Sequence, residues 1–149
     1  NLLVGDRGGK IYKISPSLEQ AVLCELEPSV SAYHLAISPN DTLFVTGPTL
    51  ASQDCIYEIS PDGEVNVFFK GLGRPQGLGF DPQGHLQVTA SWRGKKGLYT
   101  FRETQPSMPE LTVSGPMLVG FAYSNRGDTL YLADNTSLFR IDSGNGLSH

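Results

Sequence analysis

The stretch Gly77-Leu-Gly-Phe-Asp-Pro-Gln-Gly-His-Leu-Gln-Val88 decides how this chain folds. Two short apolar runs flank Asp81-Pro-Gln-Gly84, a Pro/Gly turn that reverses the chain, so each run reads as a strand. The phrase stands earlier as His34-Leu-Ala-Ile-Ser-Pro-Asn-Asp-Thr-Leu-Phe-Val45. It returns as Gly120-Phe-Ala-Tyr-Ser-Asn-Arg-Gly-Asp-Thr-Leu-Tyr-Leu132, with one extra residue in its turn. Leu35 to Leu78 and Leu78 to Phe121 are each 43 residues.

A second series runs between these phrases: Lys10-Ile-Tyr-Lys-Ile-Ser-Pro16, Cys55-Ile-Tyr-Glu-Ile-Ser-Pro61, Gly97-Leu-Tyr-Thr-Phe-Arg102 and Ser137-Leu-Phe-Arg-Ile-Asp142, at spacings of 45, 42 and 40. In it Ile56 and Glu58 alternate with Tyr57 and Ile59, the period of a strand. Ser60-Pro-Asp-Gly63 then turns the chain into a fourth strand at Val65 to Phe69. No segment carries a helical period; over Leu18 to Leu26 the alternation of Val22, Cys24 and Leu26 predicts a strand. A period of about 40–50 residues with four strands is that of a β-propeller blade. One such sheet cannot bury both faces, so blades must stack.

The expected fold is therefore all-β, built of four-stranded antiparallel propeller blades that make an incomplete ring, a half-propeller. A partial blade is expected over 1–30, blades over 31–73 and 74–116, and a second partial blade over 117–149. The count is three, four, four and three strands, 14 in all, with a first strand lacking at one end and a fourth at the other. That is about 3.5 blades against the usual 4–8. Either a longer parent chain supplies the remainder, or a second copy completes the ring as a homodimer.

Composition agrees. Among 149 residues, 17 Gly and 10 Pro exceed the usual share of about 12% and imply many turns. Eleven Lys+Arg against 15 Asp+Glu leave a net charge of −4, so no chain-wide footprint for nucleic acid is expected. No apolar run reaches the roughly 18 residues of a spanning helix, so no membrane partner is expected. Cys24 and Cys55 are too few for a disulfide framework and read as buried free thiols. Asn40 and Asn135 open Asn-x-Ser/Thr triplets, which turns explain as well as glycosylation does. The chain opens at Asn1 without a basic-then-apolar leader, as a processed chain or a piece of a longer one would; no compartment is assigned.

Leu130-Tyr-Leu-Ala-Asp-Asn-Thr-Ser-Leu-Phe-Arg-Ile141 and Leu3-Val-Gly-Asp-Arg-Gly-Gly-Lys-Ile-Tyr-Lys-Ile14 resemble the NHL-repeat pattern "Leu-Tyr-Val-Ala-Asp…Arg-Ile". Gly120-Phe-Ala-Tyr-Ser124 resembles the "Gly-Ile-Ala-Phe-Ser" phrase of NHL and SMP-30/gluconolactonase propellers. The resemblance covers nearly all of the chain and speaks for fold more than for activity. It implies that loops leading into the innermost strand, and loops between second and third strands, share one rim. These are Ser29 to His34, Gly71 to Gln76 and Ser114 to Val119, then Asp6 to Gly9, Gly47 to Asp54, Ser91 to Gly97 and Asp134 to Ser137. The ligand-binding candidates on them are Tyr33, His34, Arg74, Gln76, Trp92 and Arg93, with Lys95 and Lys96 beside them.

SMP-30-type lactonases hold a divalent metal with Glu, Asn and Asp near such strand starts, and oxygen ligands suit Ca²⁺. The resemblance places ligands where this chain has Tyr33, Gln76 and Val119, of which only Gln76 offers an amide oxygen. No metal site and no cofactor is therefore expected on this chain, with Ca²⁺ the ion to expect if the lactonase likeness holds. His34 is the one histidine at a strand start and reads as a wall side chain, since the repeat sets no carboxylate beside it. His85 follows a turn and reads as solvated; His149 is terminal. Asp6 and Asp134 occupy equivalent places and read as loop-shaping acceptors. Arg93-Gly-Lys-Lys96 beside Trp92 can hold a small polar or anionic ligand. Arg126-Gly-Asp128 reads as a turn. The leading expectation is a non-enzymatic ligand- or partner-binding propeller. The alternatives are a metal-dependent lactonase whose ligands come from outside this chain, and a structural assembly module.

Overall fold

A computed structural model describes residues 1–102 and 108–142, and the backbone of 147–148. His149 lies outside the described residues. The chain divides into two compact units, Asn1–Arg74 and Pro75–His149. In the first unit, β1 (Leu2–Gly5), β2 (Lys10–Ile14) and β3 (Gln20–Glu25) form sheet 1 in chain order. Sheet 2 follows as β4 (His34–Ile37), β5 (Leu43–Thr46), β6 (Asp54–Ile59) and β7 (Val65–Leu72). In the second unit, sheet 3 is β8 (Leu78–Phe80), β9 (Leu86–Trp92), β10 (Lys95–Phe101) and β11 (Glu110–Ser114). Sheet 4 is β12 (Gly120–Tyr123), β13 (Thr129–Ala133), β14 (Leu138–Asp142) and β15 (Leu147–Ser148). Every pairing is antiparallel between neighbours in sequence, the up-and-down order of a propeller blade.

Two expectations change. Among the described residues there are 15 strands, not 14, because β15 pairs Leu147 with Ile141 and Ser148 with Arg140. Two residues with no apolar alternation of their own leave no period to read, so this strand was invisible in the sequence. The expected loop Ser91 to Gly97 is also shorter: β9 runs to Trp92 and β10 starts at Lys95. Arg93 (φ 49°) and Gly94 (φ 77°) are the two turn residues, and positive φ at both matches the right-handed twist of the flanking strands.

Consecutive apolar residues in the central strands, such as Leu43, Phe44 and Val45, give a sheet apolar side chains on both faces. In the first unit Ile11 and Cys24 of sheet 1 meet Leu43, Val45 and Ile59 of sheet 2, with Leu3, Leu35 and Tyr57 around them. In the second unit Leu98 and Val113 of sheet 3 meet Leu130, Leu132, Phe121 and Tyr123 of sheet 4. Each such side chain stabilises by about 1.5–3 kcal/mol when fully buried. Buried Gln87 fits the same interface because its amide nitrogen donates to Thr100 Oγ1 at 2.9 Å and its Oε1 accepts from Tyr123 Oη at 2.8 Å. Cys24 is buried, whereas Cys55, expected to be buried, is only half covered; both thiols are free.

Five turns share one construction. Leu18, Asp41, Gly63, Gly84 and Gly127 each donate their N–H to the carbonyl three residues back, at 2.8–3.0 Å. A side-chain oxygen of that first residue then takes the N–H of a residue just beyond the turn, as Ser60 Oγ does from Glu64 at 3.0 Å and Asp81 Oδ1 from His85 at 2.8 Å. The fourth position has positive φ in all five, which glycine adopts without strain and Leu18 (φ 66°) does not. Leu18 is 78% exposed and gains little from its side chain. Leu18→Gly is expected to raise stability by about 1 kcal/mol, the order of the left-handed penalty less the added chain entropy. Urea unfolding checks this; a loss of stability contradicts it.

Candidate functional site

Trp92 ends β9, and the two-residue turn brings the chain straight back at Lys95. The Arg93 guanidinium lies 4.3 Å from the centre of the Trp92 ring, within reach of a cation–π contact. Buried Tyr99 supports the hairpin from below. Its hydroxyl sits 2.5 Å from the Lys95 carbonyl and 3.2 Å from the Trp92 carbonyl, so one phenolic proton serves both strands. Its ring meets Trp92 edge-on at 6.1 Å. Burial pushes the Tyr99 hydroxyl above its ordinary pKa and keeps it a donor.

Beside this hairpin is a cleft of about 270 Å³ lined by Trp92, Arg93, Lys95, Tyr99, Pro109 and Leu111. Trp92, Tyr99, Pro109 and Leu111 line it with largely apolar surface, and Arg93 and Lys95 bring two cations. No acidic side chain stands among the described residues that line it. Such a surface attracts an anion and offers its apolar part a dry seat.

The other candidates have different surroundings. Gln76 is half-buried; its backbone N–H donates to the Thr89 carbonyl at 2.9 Å, and the next N–H, from Gly77, donates to Thr89 Oγ1 at 2.7 Å. Arg74 is exposed at positive φ. Tyr33 is buried and its hydroxyl donates to the Glu27 carbonyl. Burial, chiefly, raises its pKa, with Tyr57, Glu27 and Asp54 adding to the effect. His34 opens β4 opposite Thr46 and is half-buried. Burial lowers its pKa, so the neutral ring is the folded form.

Sequence reasoning passed over two acids in the first unit. Buried Asp54 accepts from Thr49 N at 3.0 Å and Thr49 Oγ1 at 2.7 Å, closing the loop between β5 and β6. Glu27 Oε1 accepts from Tyr57 Oη at 3.3 Å. Burial first, then Cys55 and Glu27, push the Tyr57 hydroxyl up to about 12. The repeat frame could have found Asp54, since it stands one residue before the recurring Ile-Tyr phrase's first position. His85, expected in solvent, is a correction: its Nδ1 lies 3.0 Å from Asp81 Oδ2, because the turn that caps β8 delivers both side chains to one side. Asp6 and Asp134 accept loop N–H groups as expected: Lys10 N at 3.0 Å for Asp6, Thr136 N at 2.8 Å and Ser137 N at 2.6 Å for Asp134. No group of three His, Cys, Asp or Glu side chains is placed to hold a metal among the described residues.

Comparison with known proteins fits this architecture. No family profile and no curated protein sequence matches the chain. Among solved structures it superposes on a TolB-like protein from Agrobacterium tumefaciens at 18% identity, with a TM-score of 0.75 over 98% of this chain and 59% of the other. A gluconolactonase from Xanthomonas campestris matches at 18% identity and TM-score 0.73, over 97% of this chain and 56% of the other. Virginiamycin B lyase from Staphylococcus aureus matches at 14% identity and TM-score 0.68, over 95% and 48%. These are β-propellers, and at such identities the likeness establishes the fold: this chain has the β-propeller fold. It spans roughly half the length of the propellers it matches.

Asp134→Ala is expected to cost about 1–3 kcal/mol, since the loop N–H groups lose a charged acceptor. Thermal unfolding measures it, and an unchanged melting temperature contradicts the loop-shaping role. His34 gives a pH dependence of definite sign. Its folded pKa lies below its ordinary value of 6.5, so the unfolded chain binds the extra proton. The stability it contributes is full above 6.5 and falls away as pH drops through 6.5 toward the folded value. A His34→Asn variant is expected to show a shallower decline in melting temperature over that window; an unchanged slope contradicts the assignment.

Proposed function

We propose that this chain is a ligand-binding segment of a β-propeller, and that its site is the cleft at the β9–β10 hairpin. The observation that carries the reading is the Arg93 guanidinium stacked on Trp92, with Lys95 beside it and Pro109 and Leu111 beneath. Among small ligands, an anion with a compact apolar body suits this cleft best: its charge meets Arg93 and Lys95, and its body lies on Pro109 and Leu111. Function on propellers is set by loops held on a rigid scaffold, and a hairpin pinned by Tyr99 presents these cations in one place. His34, Gln76, Tyr33 and Arg74 remain candidates for contacts elsewhere in the propeller.

The likeness to gluconolactonases favours a second reading, metal-dependent lactone hydrolysis. The donor set of this chain does not fit a Ca²⁺ centre at the positions where the family resemblance places one. Tyr33 commits its hydroxyl to the Glu27 carbonyl, the Val119 side chain has no ligand atom, and among the three side chains Gln76 alone brings an amide oxygen. In this reading the ligands come from residues beyond this chain.

Trp92 is the one tryptophan in the sequence and reports directly on the cleft. Titration with benzoate, inorganic phosphate and glucose, followed by tryptophan fluorescence, is expected to give a saturable change with benzoate. Arg93→Ala is expected to weaken that binding about 3- to 30-fold, the range of one cation–π and charge contact. Flat titrations with all three probes contradict the reading. Lactone turnover dependent on added Ca²⁺ transfers support to the second.

A further inference from the structure

The repeat lets each residue be compared with its counterparts on the other sheets, and two faces stand out as uncovered. Register equates Leu2 with Leu43, Leu86 and Leu130, because each faces the same position of the third strand: Ile14, Ile59, Phe101 and Ile141. Two residues on, Val4 corresponds to Val45, Val88 and Leu132. All six counterparts are at most 8% exposed, whereas Leu2 is 61% and Val4 39% exposed. On sheet 4 the pattern is reversed in direction. Leu138 corresponds to Ile11, Ile56 and Leu98, which are fully buried, yet it is 62% exposed. Tyr131 corresponds to Phe44 and Gln87, both buried, and is itself exposed.

These two bare faces are of the two kinds that meet within each unit. Within the first unit, Ile11 of sheet 1 packs against Leu43 and Val45 of sheet 2. Within the second, Leu98 of sheet 3 packs against Leu130 and Leu132 of sheet 4. Leu138 is therefore of the kind that packs against Leu2 and Val4, and each chain carries one of each kind. The chain also spans roughly half the length of the propellers it matches, so two copies bring the sheets of about one.

We infer that the Leu138–Tyr131 face of sheet 4 docks on the Leu2–Val4 face of sheet 1 in a second copy of this chain. Two copies make the contact twice, which satisfies both bare faces on both chains. The occupant is a second copy and not an unrelated partner because the complementary stripe is already present, in the right register, on the same sequence. Burying these side chains follows the rule by which consecutive sheets cover each other within each unit.

Light scattering on the eluting 149-residue chain is expected to give twice the mass of one chain. Val4→Lys and Leu138→Lys each remove one kind of face and are expected to elute as single chains with an unchanged circular dichroism spectrum and a lower melting temperature. Mixed in equal amounts at raised concentration, they are expected to recover a species with one chain of each. The Val4→Lys copy keeps its sheet 4 face, and the Leu138→Lys copy keeps its sheet 1 face. Leu2→Lys and Tyr131→Lys repeat the test on the same two faces should either first variant unfold. A wild-type chain that elutes as a monomer overturns the inference, as does a dimer that survives both variants or a mixture that fails to recombine.

Discussion

A four-stranded antiparallel sheet whose central strands carry apolar side chains on both faces, as Leu43, Phe44 and Val45 do, has no means of covering either face by itself. Everything else in this chain follows from that constraint. Ile11 needs Leu43 and Val45, and Leu98 needs Leu130 and Leu132; each sheet provides its neighbour's solvent-free surface. The driving term is area removed from water, so it requires the right volume and apolarity at those positions more than any particular residue. That is why Ile, Leu and Val exchange freely among the repeats while β1–β2, β5–β6, β9–β10 and β13–β14 pair in one unbroken register. Polar groups enter only with partners: Gln87 at the same interface is held by Thr100 and Tyr123.

The candidate site is a by-product of the same rigidity. A tight turn at Arg93 and Gly94 leaves no slack between β9 and β10, and Tyr99 ties the two strand ends through one hydroxyl. Trp92 and Lys95 are thereby fixed at a hairpin end, and Arg93 folds back over the indole. In the first unit two rim residues are used differently. Asp54 accepts from Thr49 and the Tyr33 hydroxyl donates to the Glu27 carbonyl, contacts that hold the loops of the scaffold.

Much of this was legible in the sequence because repetition is its own control. The phrase around Asp81-Pro-Gln-Gly84 and its copies located the strands and turns, and the Ile-Tyr series set the third strands. Asp6 and Asp134 were placed correctly because their equivalence in the repeat is a local matter. What stayed hidden lacked a period. β15 is two residues long, the β9–β10 turn trades a long loop for two positive-φ residues, and His85 meets Asp81 only because a turn brings both round. Trp92 and Arg93 were named for their chemistry, but Pro109 and Leu111 come from β10's neighbour in space and carry no motif. The exposure of Leu2, Val4 and Leu138 was invisible too, since as letters they match their buried counterparts.

The central claim is that sheets covering sheets provide the stability of each unit. Amide hydrogen exchange tests it most directly. Residues in β5, β6, β9 and β10, which carry the most completely buried positions, are expected to exchange slowest and together, at rates set by global unfolding. Exchange in those strands as fast as in the turns at Ser38 to Thr42 and Ser60 to Glu64 would contradict it.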